Sequence, residues 1–261
     1  MLWKSATSGE DLFLLLHKKI GGTLDLSSRT GIGLDALVSP EDFSEFVQLT
    51  ATMEIFFRCV RSATSYMKAV NNPSANELAS AVRRDIDLPG HLGRDRMFSE
   101  HLLRTGRIAY KTPRDKRVEQ AAMDEVGMRC YMCGIALTRR GSGNGRDKYT
   151  IEHLWPLSFG GETIEGNLIP ACANCNNRRK HMLSWAWGPV QSTYLHPSES
   201  PSNELKLSLG LARLLHFAKS GKHPKTLKET ALRYQPLQTE LTLEQDKHHL
   251  YYELMQQVRI S

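Results

Sequence analysis

The spacing of apolar and polar residues predicts helices over the first half of the chain. A short leucine-rich stretch covers residues 10–20. Further on, Ser39-Pro40-Glu41-Asp42 places a capping serine before a proline and two acids, which is a typical helix start. Apolar residues then recur at helical steps up to Val70, so one long amphipathic helix is predicted. The recurring residues are Phe43, Phe46, Met53, Phe57, Val60, Met67 and Val70.

Three more helices are predicted before residue 127. Ser74 and Glu77 have the spacing of a capping box, which begins a helix running to about Asp87. The helical pattern continues over residues 94–110 and 114–126. Together these segments predict a helical N-terminal region over residues 1–126.

The pattern changes after residue 126, where glycine and β-prone residues become frequent. A glycine-rich loop at 141–145 precedes the β-prone Tyr149-Thr150-Ile151. A small module with strands and a helix is therefore predicted for residues 127–188. A proline- and serine-rich linker, 189–202, leads to a helical C-terminal arm, 203–261. The predicted fold class is α+β and mainly α-helical, with the small module between two helical regions.

Helices are predicted in two parts of the C-terminal arm. Leucines on one face predict a helix over about 203–219, which Gly221 and Pro224 end. Thr242 with Gln245 predicts the cap of a last helix.

Composition excludes several classes of protein. The chain has 261 residues, of which 40% are apolar and 24% charged, as in an ordinary globular protein with a substantial core. The longest apolar run, 12–16, is about a quarter of a membrane span. Glu10 and Asp11 lie where a signal peptide would carry positive charge. We therefore expect a cytoplasmic protein without a membrane partner.

The net charge of +6 is unevenly distributed along the chain. Residues 1–100 carry 11 basic and 13 acidic side chains, whereas residues 101–200 carry 14 and 9. An acidic partner such as nucleic acid is therefore expected to meet the central module. The N-terminal region has no such signature, so we expect it to bind a protein partner or to form a homodimer.

Four of the five cysteines form two Cys-x-x-Cys pairs, at 130/133 and 172/175. In an intracellular chain such pairs indicate metal, and four thiolates make a closed tetrahedral shell for structural zinc. The alternative is a redox pair, but no thioredoxin-like βαβ unit surrounds either motif. Cys59 stands alone between apolar neighbours, which favours a buried small side chain over a reactive thiol. The predicted zinc ligands are Cys130, Cys133, Cys172 and Cys175.

A second set of residues surrounds the cysteines. A glutamate and a histidine at a predicted strand end are followed by a proline and two adjacent glycines. An asparagine stands fourteen residues after the histidine, a CxxC begins five residues later, and another asparagine follows its second cysteine. Over residues 129–180 this set resembles the HNH nucleases, the ββα-metal superfamily. The set is Glu152, His153, Pro156, Gly160, Gly161, Asn167, Cys172, Cys175 and Asn176.

The resemblance implies a role for each polar residue of the set. His153 would activate water, Glu152 and Asn176 would hold one Mg²⁺ or Mn²⁺, and Asn167 would bond across the loop to orient the histidine. Adjacent strand residues point to opposite faces, so Glu152 and His153 can serve one point only if the strand end twists or bulges. His181 is an alternative to Asn176 as the second metal ligand.

The function implied is a metal-dependent HNH endonuclease that hydrolyses phosphodiester bonds, with DNA favoured over RNA as substrate. Restriction, antiphage defence and mobile-element functions all remain open. One alternative is an HNH nuclease that cleaves RNA. Another, outside the enzymes, is a zinc-dependent adaptor that binds nucleic acid through an inactive HNH site.

Basic residues near this set are predicted to contact phosphate on both sides of the scissile bond. The alternative is an ordinary solvated surface. Trp155, Trp185 and Trp187 could stack on bases, although Trp155, two residues after the histidine, fits the core of the module better. The predicted phosphate contacts are Arg139, Arg140, Arg146, Lys148, Arg178, Arg179 and Lys180.

Overall fold

The computed structural model describes residues 3–20, 40–111, 115–125, 129–139, 145–179 and 225–234. Helices dominate these residues, and two short strands form the sheet, so the α+β prediction is confirmed. The helices are α1 Ser8–Ile20, α2 Pro40–Ala69, α3 Ala75–Ile86, α4 Gly90–Gly93, α5 Arg96–Lys111, α6 Lys116–Glu125, α7 Ala173–Arg179 and α8 Leu227–Tyr234. The strands are β1 Tyr149–His153 and β2 Leu168–Cys172. No helix within the described residues has the length and apolar character needed to cross a membrane.

Local sequence signals predicted the helix boundaries of the N-terminal region well. Helix α2 begins at Pro40, as the serine-proline start predicted, and helix α3 has the predicted capping box between Ser74 and Glu77. Helix α3 ends where Asp87 takes a left-handed conformation, with φ of 53°. Each boundary depends on side chains within one turn of it, which is why sequence alone could predict it.

Two helices begin at capping motifs that the sequence analysis did not use. At the start of α1, Thr7 N donates to Glu10 Oε2 at 2.9 Å, and Glu10 N donates back to Thr7 Oγ1 at 3.3 Å. Thr226 and Glu229 make the same reciprocal pair at the start of α8. Helix α8 was not predicted, although its Thr-x-x-Glu signal is in the sequence. The predicted helices at 203–219 and after Thr242, and the 189–202 linker, lie outside the described residues.

Strands β1 and β2 pair antiparallel in an uninterrupted register, from Tyr149 opposite Cys172 to His153 opposite Leu168. Within β1 the register contains no bulge, so Glu152 and His153 can serve one point only if the chain turns at the end of the strand. The two side chains leave the regular strand on opposite faces. Helix α7 follows β2 directly, which completes a ββα unit.

The core contains an aromatic cluster shared by the helical region and the ββα unit. Trp155 is fully buried, and its ring centroid lies 5.8 Å from Phe13 of α1 and 5.5 Å from Phe56 of α2. The rings of Phe57 and Phe159 are closer still, at 4.6 Å. Trp155 is thus a core residue, as predicted, and the core runs across the predicted boundary at residue 126. Trp185 and Trp187 lie outside the described residues.

The N-terminus of α1 rests directly on the loop after β1. Ser8 N donates to the Glu162 carboxylate at 2.8 Å, and Gly9 N donates to Gly160 O at 3.0 Å. A side chain at Gly9 would collide with Phe159 O and the Trp155 indole, so only glycine allows this approach. Two of the first backbone N–H groups of α1 are therefore satisfied by residues about 150 positions away in sequence.

Candidate active site and metal centre

The two Cys-x-x-Cys pairs converge on one point at the base of the ββα unit. All four Sγ atoms lie within 4.8 Å of one another, and Cys133 Sγ is 3.8 Å from Cys172 Sγ. A tetrahedral site with metal–sulfur bonds of about 2.3 Å requires sulfur separations of about 3.8 Å, which matches this spacing. Hydrogen bonds from the neighbouring thiols lower the pKa of Cys130, with the larger effect from Cys133 and the next from Cys175, and so favour a thiolate at Cys130. The predicted clustering of the four cysteines is confirmed, and together they could hold one metal ion.

His153 is the last residue of β1, and its side chain is buried against the loop that follows the strand. Its Nε2 lies 3.1 Å from the hydroxyl oxygen of Thr163. Thr163 is also buried. The histidine ring is therefore held on the face of β1 opposite to Glu152.

Asn167 closes the loop between the two strands. Its Oδ1 accepts from Trp155 N at 2.7 Å, and its Nδ2 donates to Trp155 O at 2.9 Å and to Glu162 O at 3.0 Å. Gly161 fits beneath this bridge because a side chain there would collide with Trp155 O. Gly160 has a φ of 83°, which favours glycine. The loop 154–162 is thus held across its width by one buried side chain.

Asn176 and Glu152 lie on the face of β1 that helix α7 covers. Asn176 Nδ2 donates to Thr150 Oγ1 and to Ile151 O, both at 3.1 Å. Thr150 and Glu152, two residues apart on the strand, share one face. Arg179, three residues after Asn176 on α7, reaches the same face and donates to Glu152 Oε1 at 2.8 Å. The two predicted magnesium ligands therefore lie on one side of the strand.

The structure corrects the prediction that Arg179 contacts phosphate from the surface. Its side chain is 0% exposed and also donates to the carbonyl oxygens of His153, at 2.9 Å, and Leu154. A guanidinium enclosed in this way supports the end of β1 and has no surface to offer a substrate.

Burial raises the pKa of Glu152 to about 7, although the charge and hydrogen bond of Arg179 act in the opposite direction.

Three of the other predicted phosphate contacts have exposed side chains near the ββα unit. They are Arg139, Arg146 and Lys148. Lys148 directly precedes β1, and its backbone oxygen accepts from Ala173 N at the start of α7. Arg140, Lys180 and His181 lie outside the described residues, as does the side chain of Arg178.

Comparison with known protein families identifies the class of the central module. Residues 130–181 match the family model of the HNH endonucleases. The matched span is 52 of the 261 residues, about a fifth of the chain. It contains the cysteine cluster and the polar residues of both strand faces, so this segment is similar to the HNH endonucleases. Comparison with curated proteins and with solved structures gave no significant match.

The sequence analysis missed two polar residues that contribute to the site. Thr163 contacts His153, and Glu162 receives the N-terminus of α1. Both lie inside the segment that resembles the HNH nucleases. No local pattern distinguishes these two residues, because their partners are not sequence neighbours. Thr163 contacts the histidine at the end of β1, and Glu162 contacts a helix about 150 residues earlier in the chain.

Proposed function

We propose that this protein is a metal-dependent endonuclease of the HNH type. One observation carries the proposal: the segment that matches the HNH endonuclease family has a histidine at the end of β1, held by a buried hydroxyl. HNH nucleases act on nucleic acid, and the exposed cations beside the module are compatible with such a substrate. We propose DNA in preference to RNA, in restriction, antiphage defence or a mobile element.

We propose zinc as the metal of the cysteine cluster. Four sulfurs at tetrahedral spacing leave no open position, which is the arrangement of structural zinc. The cluster would hold the segment before β1 to the start of α7. A ββα unit of this size buries little core by itself, so the metal would contribute much of its folding free energy.

We propose Glu152 and Asn176 as the residues that would hold magnesium, with manganese as a substitute. The fit rests on Glu152 Oε2, a buried oxygen without a hydrogen-bond partner in the described part of the chain. Arg179 fixes the other oxygen, so one carboxylate oxygen would remain for the cation. Bound there, magnesium would neutralise charge that develops on the phosphate.

In this proposal the protein's own residues prepare the water for attack. His153 takes a proton from it as the general base. Asn167 and Arg179 hold the backbone at His153 and directly after it, the first through Trp155 and the second through the His153 and Leu154 carbonyls. Because Glu152 and His153 leave β1 on opposite faces, the proposal requires one substrate to reach both groups around the end of the strand.

One cleavage experiment tests the proposal. The purified protein is incubated with duplex DNA, single-stranded DNA and structured RNA, each with magnesium and with a chelator. We expect cleavage of DNA that requires the divalent ion. Cleavage of RNA alone would change the substrate, and no cleavage of any of the three would overturn the proposal.

One observation favours a second candidate function, an adaptor that binds nucleic acid without cutting it. The Glu152 carboxylate is already neutralised by Arg179, as in a purely structural ion pair. An adaptor would bind DNA with the same affinity whether or not His153 is replaced, and would never cleave it.

A further inference from the structure

We propose that Thr163 is a positioning residue for His153, and that helix α1 holds Thr163 in place through Glu162. The inference rests on the proposed endonuclease function. It assigns a role to a residue that is not among those by which the sequence resembles the HNH nucleases. It also makes helix α1 part of the scaffold of the active site.

The first step is the contact between Thr163 and the histidine ring. A histidine side chain can rotate about two bonds, and a single buried partner at one ring nitrogen selects one orientation. Thr163 Oγ1 is that partner for Nε2, at 3.1 Å, and both side chains are buried. In this proposal Nε2 carries the proton and donates to the hydroxyl oxygen, so the proton from water goes to Nδ1.

The second step is the anchoring of the residue before Thr163. The backbone oxygen of Glu162 accepts from Asn167 Nδ2 at 3.0 Å. Its carboxylate accepts from Ser8 N at 2.8 Å and from Ser8 Oγ at 2.5 Å. Arg104 Nη2 lies 3.6 Å from the same carboxylate. Both the main chain and the side chain of Glu162 are therefore fixed, which leaves the adjacent Thr163 little freedom.

The third step is the location of Ser8 in the first turn of α1. A carboxylate at a helix N-terminus satisfies free N–H groups and is favoured by the helix dipole. Gly9 N adds a bond to Gly160 O, and Thr105 Oγ1 of helix α5 donates to Ser8 O at 2.8 Å. Helices α1 and α5 thus fix the position of the loop 160–162 through these hydrogen bonds. The loop in turn sets the position of Thr163 relative to the histidine ring.

The test compares Thr163→Val, which removes the hydroxyl at nearly constant volume, with Thr163→Ser, which retains it. We expect Thr163→Val to lower kcat by about ten- to a hundredfold, with KM nearly unchanged, and Thr163→Ser to recover most of the loss. Glu162→Gln should lower kcat in the same direction by a smaller factor, because the loop loses the charge that binds α1.

Thr52→Val is the matched control. Thr52 is another buried threonine, and its Oγ1 lies 3.3 Å from His17 Nδ1, far from the HNH module in sequence. Removing this second threonine–histidine contact should cost comparable stability and leave kcat unchanged. Equal loss of kcat in Thr52→Val and Thr163→Val would overturn the proposal, since both would then act through stability alone.

A measurement independent of cleavage uses ¹⁵N NMR of the histidine rings. In the wild type we expect one tautomer of His153, with the proton on Nε2, and in Thr163→Val a mixture of tautomers. An unchanged His153 spectrum in Thr163→Val would overturn the proposal. Wild-type protein that cleaves no substrate would overturn the proposed function instead, whereas active wild type with an equally active Thr163→Val would overturn only the role of Thr163.

Discussion

Arg179 Nη1 donates to Glu152 Oε1 at 2.8 Å, and both side chains are buried. The same guanidinium bonds the His153 and Leu154 carbonyls, so it holds the end of β1 to the end of α7. Burying two charges costs desolvation energy, and the pair is stable only while both partners are present. The ion pair therefore joins helix α7, which carries Cys175, to the strand that carries the histidine.

Replacing Arg179 by methionine should destabilise the protein by about 3–5 kcal/mol at pH 8, because Glu152 must then either stay buried as an unpaired charge or take up a proton. Urea unfolding with saturating zinc measures the loss. The double variant Arg179→Met with Glu152→Gln should recover part of it, since no buried charge remains. Arg179→Met with unchanged stability and weaker binding to DNA would return Arg179 to the surface role that the sequence predicted.

The destabilisation by Arg179→Met should depend on pH. The folded-state pKa of Glu152 is raised to about 7, above its ordinary value of 4.5, so its contribution favours folding at low pH and is lost as pH rises through about 7. Without the guanidinium that pKa rises further. The variant should therefore approach wild-type stability near pH 5 and fall further below it by pH 8, in magnesium-free buffer. A difference that is constant over this range would contradict the assignment.

Elemental analysis should find one zinc ion per chain, because four thiolates complete one tetrahedral shell. Cys172→Ser should lose the metal and unfold the central module, since Cys172 links β2 to α7. Cys59→Ser is the control: it changes a buried cysteine of α2 outside the cluster and should keep the zinc. Zinc retained by Cys172→Ser would refute the four-cysteine site.

The two proposed catalytic roles should fail in different ways. His153→Ala should lower the cleavage rate by roughly two to four orders of magnitude, with zinc content and DNA binding intact, because general-base catalysis is lost. Asn176→Ala should also be inactive, but high magnesium or manganese should restore part of its activity. Cleavage rates over a series of metal concentrations compare them. If His153→Ala cleaves as fast as wild type, the base lies elsewhere.

Lys148 should contribute to DNA binding through charge alone. Its exposed side chain lies at the start of β1, and a phosphate contact there would release about one counterion. Lys148→Ala should weaken binding equally on unrelated sequences and reduce the salt slope by about one unit. Arg84→Ala, an exposed cation on α3, is the control and should leave the slope unchanged. Equal slopes for Lys148→Ala and wild type would make Lys148 an ordinary solvated residue.

The sequence alone determined the helix starts at Pro40 and Ala75, the β1 strand, the clustering of the four cysteines and the similarity of the central segment to the HNH endonucleases. Capping, strand propensity and ligand spacing act over a few residues, so they are visible without the fold. The burial of Arg179, the capping of α1 by Glu162 and the contact of Thr163 with His153 were decided by tertiary structure. Each of these contacts joins groups that only the packing of the chain brings together. The residues around a charged group or a hydroxyl in the sequence do not identify the distant group that it will contact.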